Sequence, residues 1–111
     1  MELSFPSIGS FTGSGTLFYA PVMTDELFSF HEDYHTHFKG FHDSQSLYNP
    51  GHWIPHCTIA NRLSIEKLLE AFRFCTSKKF TMIGQIQEIA VIDASSKTEA
   101  PIIFSKKLLP I

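Results

Sequence analysis

Hydrophobic and polar positions alternate loosely at the start of the chain. Residues 3–8 alternate, but Pro6 interrupts them, a pattern typical of an edge strand or an irregular lead-in. Glycine and serine are concentrated between residues 9 and 15, which indicates a bend or a flexible loop. Residues 16–22 are apolar and β-prone, so they predict a strand that ends near Pro21.

The spacing of apolar residues becomes helical after this strand. Thr24 or Asp25 is a suitable N-cap, and Gly40 is the natural end of the helix. One helical face is apolar and carries Leu27, Phe30, Tyr34, Phe38 and Phe41. Residues 42–51 are polar and rich in turn formers, so they predict a loop.

A second strand–helix pair follows, and then more strands. The strand begins after Pro55, and Ser64 caps the following helix. The apolar face of that helix carries Ile65, Leu68, Leu69, Phe72 and Cys75. Residues 80–92 predict one long strand, or two strands broken near Gly84, and residues 102–104 predict a last strand. The predicted order is β-β-α-β-α-β-β.

This order indicates an α+β fold in which two helices pack on one face of a mainly antiparallel sheet. The 111 residues, of which 43% are hydrophobic and 18% charged, suit one globular domain over 1–111. The net charge of -2 argues against a broad electrostatic surface for nucleic acid, although a small phosphate site needs only a few donors.

The two cysteines and the length of the apolar segments indicate where in the cell the protein is expected. Cys57 and Cys75 have no metal-site spacing and cannot form a disulfide framework, so we expect reduced thiols, with Cys57 buried. We find no signal peptide and no apolar stretch of membrane-spanning length. The expected location is cytoplasmic.

The candidate chemistry lies in the run from Pro55 to Ile59. Side chains of a strand alternate faces, so His56 and Thr58 should point the same way, about 7 Å apart along the strand. Cys57 and Ile59 should point the other way, into the core. An imidazole can give or take a proton near neutral pH, and a hydroxyl can donate to a phosphate oxygen. The pair is therefore a plausible half-site for phosphoryl chemistry that needs no metal or cofactor.

The order of these elements resembles the second lobe of the two-histidine (2H) phosphoesterases of the 2'-5' RNA ligase type. The similarity lies in residues 53–60, followed by the helix from Ser64 and the segment 86–92. Upstream, residues 8–11 and the strand at 17–21 resemble the strand pair that precedes the helix before this motif. The resemblance covers nearly the whole chain.

The resemblance implies two similar lobes around a cleft, each lending one His-x-Thr-x motif. One histidine is the general base, the other the general acid, and the hydroxyls hold the phosphate. Substrates of the family are typically RNA ends with 2',3'-cyclic phosphates or 2'-5' linkages, and related cyclic nucleotides. On this resemblance, we expect His56 and Thr58 to take these roles here. The chain lacks the first His-x-Thr-x, so we expect a missing first lobe, a homodimer, or an inactive remnant.

Other residues widen the set of candidates. His52, Trp53 and Tyr48 could line the same cleft as substrate contacts, or serve only a structural role. His31 to His35 matches the zinc-peptidase pattern His-Glu-x-x-His on a helix, but we favour an exposed helix with flanking histidines and no metal. Three readings stay open: a phosphoesterase, a non-catalytic RNA- or nucleotide-binding or structural lobe, and a zinc protein.

Overall fold

The computed structural model describes residues 1–37, 51–78, 82–93 and 98–108. Within these residues the chain forms seven strands and two helices. The strands are β1 (Glu2–Phe5), β2 (Ser7–Phe11), β3 (Thr16–Ala20), β4 (Cys57–Ala60), β5 (Met82–Gln85), β6 (Glu88–Ile92) and β7 (Ile102–Lys107). The helices are α1 (Asp25–His37), between β3 and β4, and α2 (Ile65–Thr76), between β4 and β5.

All strand pairs in the described residues are antiparallel, so the predicted α+β class is confirmed. The strands form three small sheets instead of one: β1 with β5, β2-β3-β4, and β6 with β7. Two predicted strands are each divided, one at Pro6 and one after Gln85. Proline lacks the N–H that a ladder needs, so a strand cannot run unbroken through Pro6.

Gly9 lies inside β2, opposite Phe18 of β3, and not in the expected bend. A Cβ atom at this position would lie 2.7 Å from Cζ of Phe18, so the glycine makes room for the phenyl ring. The prediction of a bend at Gly9 was wrong because glycine occurs both in turns and in strands where a neighbouring side chain needs room, and only the packing against β3 shows which applies. The turn follows later, at residues 12–15.

Both predicted helix starts are confirmed by their caps. The backbone N–H of Leu27 donates to Oγ1 of Thr24 at 3.1 Å, and that of Lys67 donates to Oγ of Ser64 at 3.3 Å. These bonds satisfy donors that have no partner within the first helical turn. The predicted helix end at Gly40, together with Phe38 and Phe41, lies outside the described residues.

The core is small and centres on β3. The buried apolar residues among those described are Leu3, Leu17, Phe18, Leu27 and Leu68. Helix α2 contacts β3 and β2. Ile65 and Leu69 were expected on its buried face but are 60% and 64% exposed. Leu69 lies about 100° around the helix from buried Leu68, so a narrow contact stripe cannot include both. No helix among the described residues is long and apolar enough to cross a membrane.

Candidate functional site

Strand β4 places the predicted site residues beside β3. Thr58 is paired with Phe18, and Cys57 with Tyr19. Directly opposed residues of an antiparallel pair lie on the same face of the sheet. Thr58 and Phe18 therefore share one face, and the ring of His56 contacts Phe18 there. We call the surface formed by Phe11, Phe18, His56 and Thr58 the His56 face.

Two phenyl rings support the imidazole of His56, which is half-buried just before β4 begins. Its ring centroid lies 5.0 Å from that of Phe11, edge to face, and 5.4 Å from that of Phe18. The two phenyl rings are themselves 4.5 Å apart. Sequence reasoning missed this platform, although Phe11 and Phe18 lie on strands that are adjacent in the chain and form a hairpin.

A backbone carbonyl orients the imidazole. Nδ1 of His56 lies 2.7 Å from the carbonyl oxygen of Ile54. A carbonyl only accepts, so Nδ1 carries the proton, and in the neutral ring Nε2 holds the lone pair. Nε2 can therefore accept a proton as a base, or donate one after the ring is protonated. The sequence pattern gave no indication of this bond.

Thr58 follows two residues later and its side chain is exposed. Extended backbone between the two residues would separate them by about 7 Å along the chain. Its hydroxyl is therefore in a position to meet a ligand that also reaches the imidazole. The arrangement offers one acid or base and one hydrogen-bond donor on an open surface.

The other side of β4 is less covered than the alternation predicted. Cys57 is exposed and Ile59 is 41% exposed, so the expectation that both lie in the core is wrong. The reason is that β4 is an edge strand of its sheet, whereas α2 packs over β3 and β2. Both cysteines are free thiols, as expected.

A cavity of about 230 Å³ lies on the face of this sheet opposite the His56 face. Tyr19, which alternates with Phe18 along β3, lines it together with Phe72 and Cys75 of α2. The cavity is thus separated from His56 by the sheet itself. The cavity lies beneath the C-terminal half of α2.

The far end of β4 is tied to the turn between β2 and β3. The N–H of Leu63 donates to the carbonyl of Gly15 at 3.1 Å, and the Thr16 hydroxyl donates to Oδ1 of Asn61 at 2.7 Å. Gly15 has a φ of 65°. These contacts fix β4, and with it the motif, against the hairpin.

The three further predicted contact residues have different settings. His52 is exposed in the turn at residues 51–52, and Tyr48 lies outside the described residues. Trp53 is half-buried, and its ring stacks on that of His31 of α1 with centroids 3.8 Å apart and planes 8° apart. One face of the indole is therefore covered by protein. A substrate contact by these residues stays a prediction.

The histidines of the His-Glu-x-x-His pattern also contact each other. Nε2 of His31 and Nε2 of His35 are 3.2 Å apart. His35 is buried, only 8% exposed, so the expectation that both histidines flank an exposed helix is wrong. The ring of Tyr34 packs edge to face on His35. Among the described residues, no group of three or more His, Cys, Asp or Glu side chains could hold a metal ion.

We expect the native protein to contain no stoichiometric zinc, because a stable zinc site needs three or four protein ligands and the described residues bring together only two. The measurement is elemental analysis of protein purified without an affinity tag. One zinc per chain that disappears in His35→Ala would contradict this expectation. His37→Ala, an exposed position on the same helix, is the matched control.

One of three comparisons with known proteins identifies a family for this chain. The family model of the 2'-5' RNA ligase superfamily matches residues 1–97, which include β1 to β6 and the whole His56 face. Searches of curated proteins and of solved structures gave no significant match. The family match spans well over half of the sequence. This chain therefore belongs to the 2'-5' RNA ligase superfamily.

Proposed function

We propose that this chain is one lobe of a 2H-type phosphoesterase that acts on RNA ends with a 2',3'-cyclic phosphate or a 2'-5' linkage. The observation that carries the proposal is the bond from Nδ1 of His56 to the Ile54 carbonyl. It makes Nε2 the nitrogen that can exchange a proton, on the same face as the Thr58 hydroxyl. Membership of the superfamily supports the reaction class.

Opening a 2',3'-cyclic phosphate needs two proton transfers. Water attacks phosphorus and loses a proton, while the ribose oxygen leaves and gains one. Nε2 of His56 can perform one of these transfers, so a second acid or base must come from another lobe. That lobe is either part of the same polypeptide or a second copy of this chain. The same two transfers apply when a 5'-hydroxyl of RNA attacks phosphorus in place of water: this hydroxyl loses a proton, the 3' oxygen of the ribose leaves and gains one, and a 2'-5' linkage forms.

The Thr58 hydroxyl has the second role in the proposal. Its exposed side chain can donate to a non-bridging phosphate oxygen and hold phosphorus near Nε2. A net charge of -2 means that the phosphate is held by local donors and not by a broad basic surface. Specificity for RNA ends then rests on the shape of the assembled cleft.

Thr58→Val is expected to lower kcat/KM for a 2',3'-cyclic nucleotide by about 10- to 10²-fold. Valine keeps the shape but removes a hydrogen bond to a charged group, which contributes about 1.5–3 kcal/mol. Thr58→Ser keeps the hydroxyl and should retain most of the activity. Equal losses in the two variants, measured by steady-state kinetics, would show that the hydroxyl is not used.

The test of the proposal is to incubate 2',3'-cyclic AMP with the purified chain and to monitor its hydrolysis by phosphorus NMR. The expected result is a product with a single phosphate regiochemistry, formed only when His56 is present. A second candidate is a lobe that binds nucleotides without catalysis, which the single His-x-Thr-x motif favours. Shifts of the His56 and Thr58 NMR signals on titration, without turnover, would support this second candidate and contradict the first.

A further inference from the structure

Residues 53–56, which end with His56, lie directly before β4 and belong to neither a helix nor a strand. No ladder of backbone hydrogen bonds therefore holds this segment in place. Side-chain contacts must fix it, but the side chain of Ile54 is 54% exposed. Pro55 restricts its own φ angle and stiffens the following link. Among the described residues, the ring contacts of this segment are those of His56 with Phe11 and Phe18 and the stack of Trp53 on His31.

The stack ties the segment to helix α1. The two rings are nearly parallel, with planes 8° apart, and their centroids are 3.8 Å apart. The next residue after Trp53 is Ile54, whose carbonyl oxygen accepts the Nδ1 proton of His56. The stacked indole is thus anchored one residue before the carbonyl that orients the His56 ring.

We propose that His31 is a positioning residue that, through Trp53 and the Ile54 carbonyl, holds the His56 imidazole in the tautomer with Nε2 free to exchange protons. This inference rests on the proposed function for its consequence in catalysis. It assigns Trp53 to the support of His56, in addition to any contact with substrate. It also gives α1 a role in the site, although α1 contributes no residue to the His56 face.

His35, on the same helix, in turn supports the His31 ring. It lies one helical turn after His31, it is buried, and its Nε2 is 3.2 Å from that of His31. The separation fits a hydrogen bond in which one ring donates and the other accepts. The bond limits rotation of the His31 ring, and Tyr34 packs against His35 from the side. The stacking partner of Trp53 is thus itself held in one orientation.

The experiment measures the tautomer of His56 directly. Nitrogen-15 NMR of the full chain distinguishes protonated from unprotonated ring nitrogens, at a pH where the imidazoles are neutral. In the wild type, His56 should show a proton on Nδ1. In His31→Ala the signal should move toward the Nε2-protonated form, which free imidazole side chains favour in water. His31→Phe keeps an aromatic ring against Trp53 and should restore the wild-type tautomer.

Kinetics of the same variants give the consequence for catalysis. Because a misplacement of about 1 Å can cost about 10²-fold in rate, His31→Ala should lower kcat by about 10- to 10²-fold. KM should change much less, since His31 itself is not among the predicted substrate contacts. His37→Ala, an exposed histidine on the same helix, is the control and should leave both the tautomer and kcat unchanged.

The outcomes separate this inference from the proposed function. An unchanged His56 tautomer in His31→Ala overturns the inference, whatever the activity. Loss of the tautomer in both His31→Ala and His31→Phe also overturns it, because the ring stack would then not be the support. A tautomer that is lost in His31→Ala and restored in His31→Phe supports the positioning role. If the wild type then shows no turnover under any condition, the proposed function fails separately.

Discussion

His56→Ala is expected to lower turnover of a 2',3'-cyclic nucleotide by about 10²- to 10⁴-fold, the range that a positioned acid or base contributes. The change removes the Nε2 atom that exchanges the proton, so the reaction loses one of its two acid–base groups. Because the ring is only half-buried, against Phe11 and Phe18, the fold should survive its removal. The measurement is the steady-state rate with purified protein at fixed concentration.

The control for this change is His37→Ala, which removes an exposed imidazole whose Nδ1 bonds to the carbonyl of Asp33 in its own helix. It should keep full activity. Circular dichroism and the urea midpoint of His56→Ala should remain close to those of the wild type. Turnover that persists in a folded His56→Ala protein would mean that another residue performs the proton transfer.

The largest expected effect on stability comes from Gly15→Ala. A Cβ atom there would lie 2.6 Å from the backbone nitrogen of Leu63 and still closer to its carbonyl oxygen, so backbone would have to move. The φ of 65° adds strain for any residue with a side chain. With about 1–3 kcal/mol for the strain and a similar amount for overpacking, the free energy of unfolding should fall by about 2–6 kcal/mol.

Gly13→Ala is the matched control in the same turn. A Cβ atom at Gly13 would meet nothing within 4 Å, and its φ is not in the left-handed region. Its effect on the free energy of unfolding should stay within about 1 kcal/mol, of either sign. Urea denaturation of both variants gives the comparison. Equal free energies of unfolding for the two variants would show that the turn at Gly15 does not pack tightly against Leu63.

Local signals in the sequence were sufficient for several elements. Thr24 and Ser64 were recognised as caps because a hydroxyl before a helical stripe satisfies donors that the helix leaves open. The alternation around Thr58 indicated which side chains share a face. The His-x-Thr-x motif, together with the order of the strands and helices before and after it, indicated the superfamily that the family model also matches.

Features that depend on distant segments could not be predicted in this way. The exposure of Cys57 depends on which strands α2 covers, and no periodicity within β4 contains that information. The burial of His35 depends on how α1 packs within the fold, which local periodicity does not specify. The bond from His56 to the Ile54 carbonyl needs an irregular backbone, for which binary patterning has no signal.

The dependence of turnover on protein concentration tests the central claim most directly. If His56 supplies one of two required proton transfers, the rate per chain with 2',3'-cyclic AMP should rise with concentration as two lobes meet. It should fall to background at every concentration in His56→Ala. A constant rate per chain from a protein shown to be monomeric, or a rate that survives His56→Ala, would contradict the account.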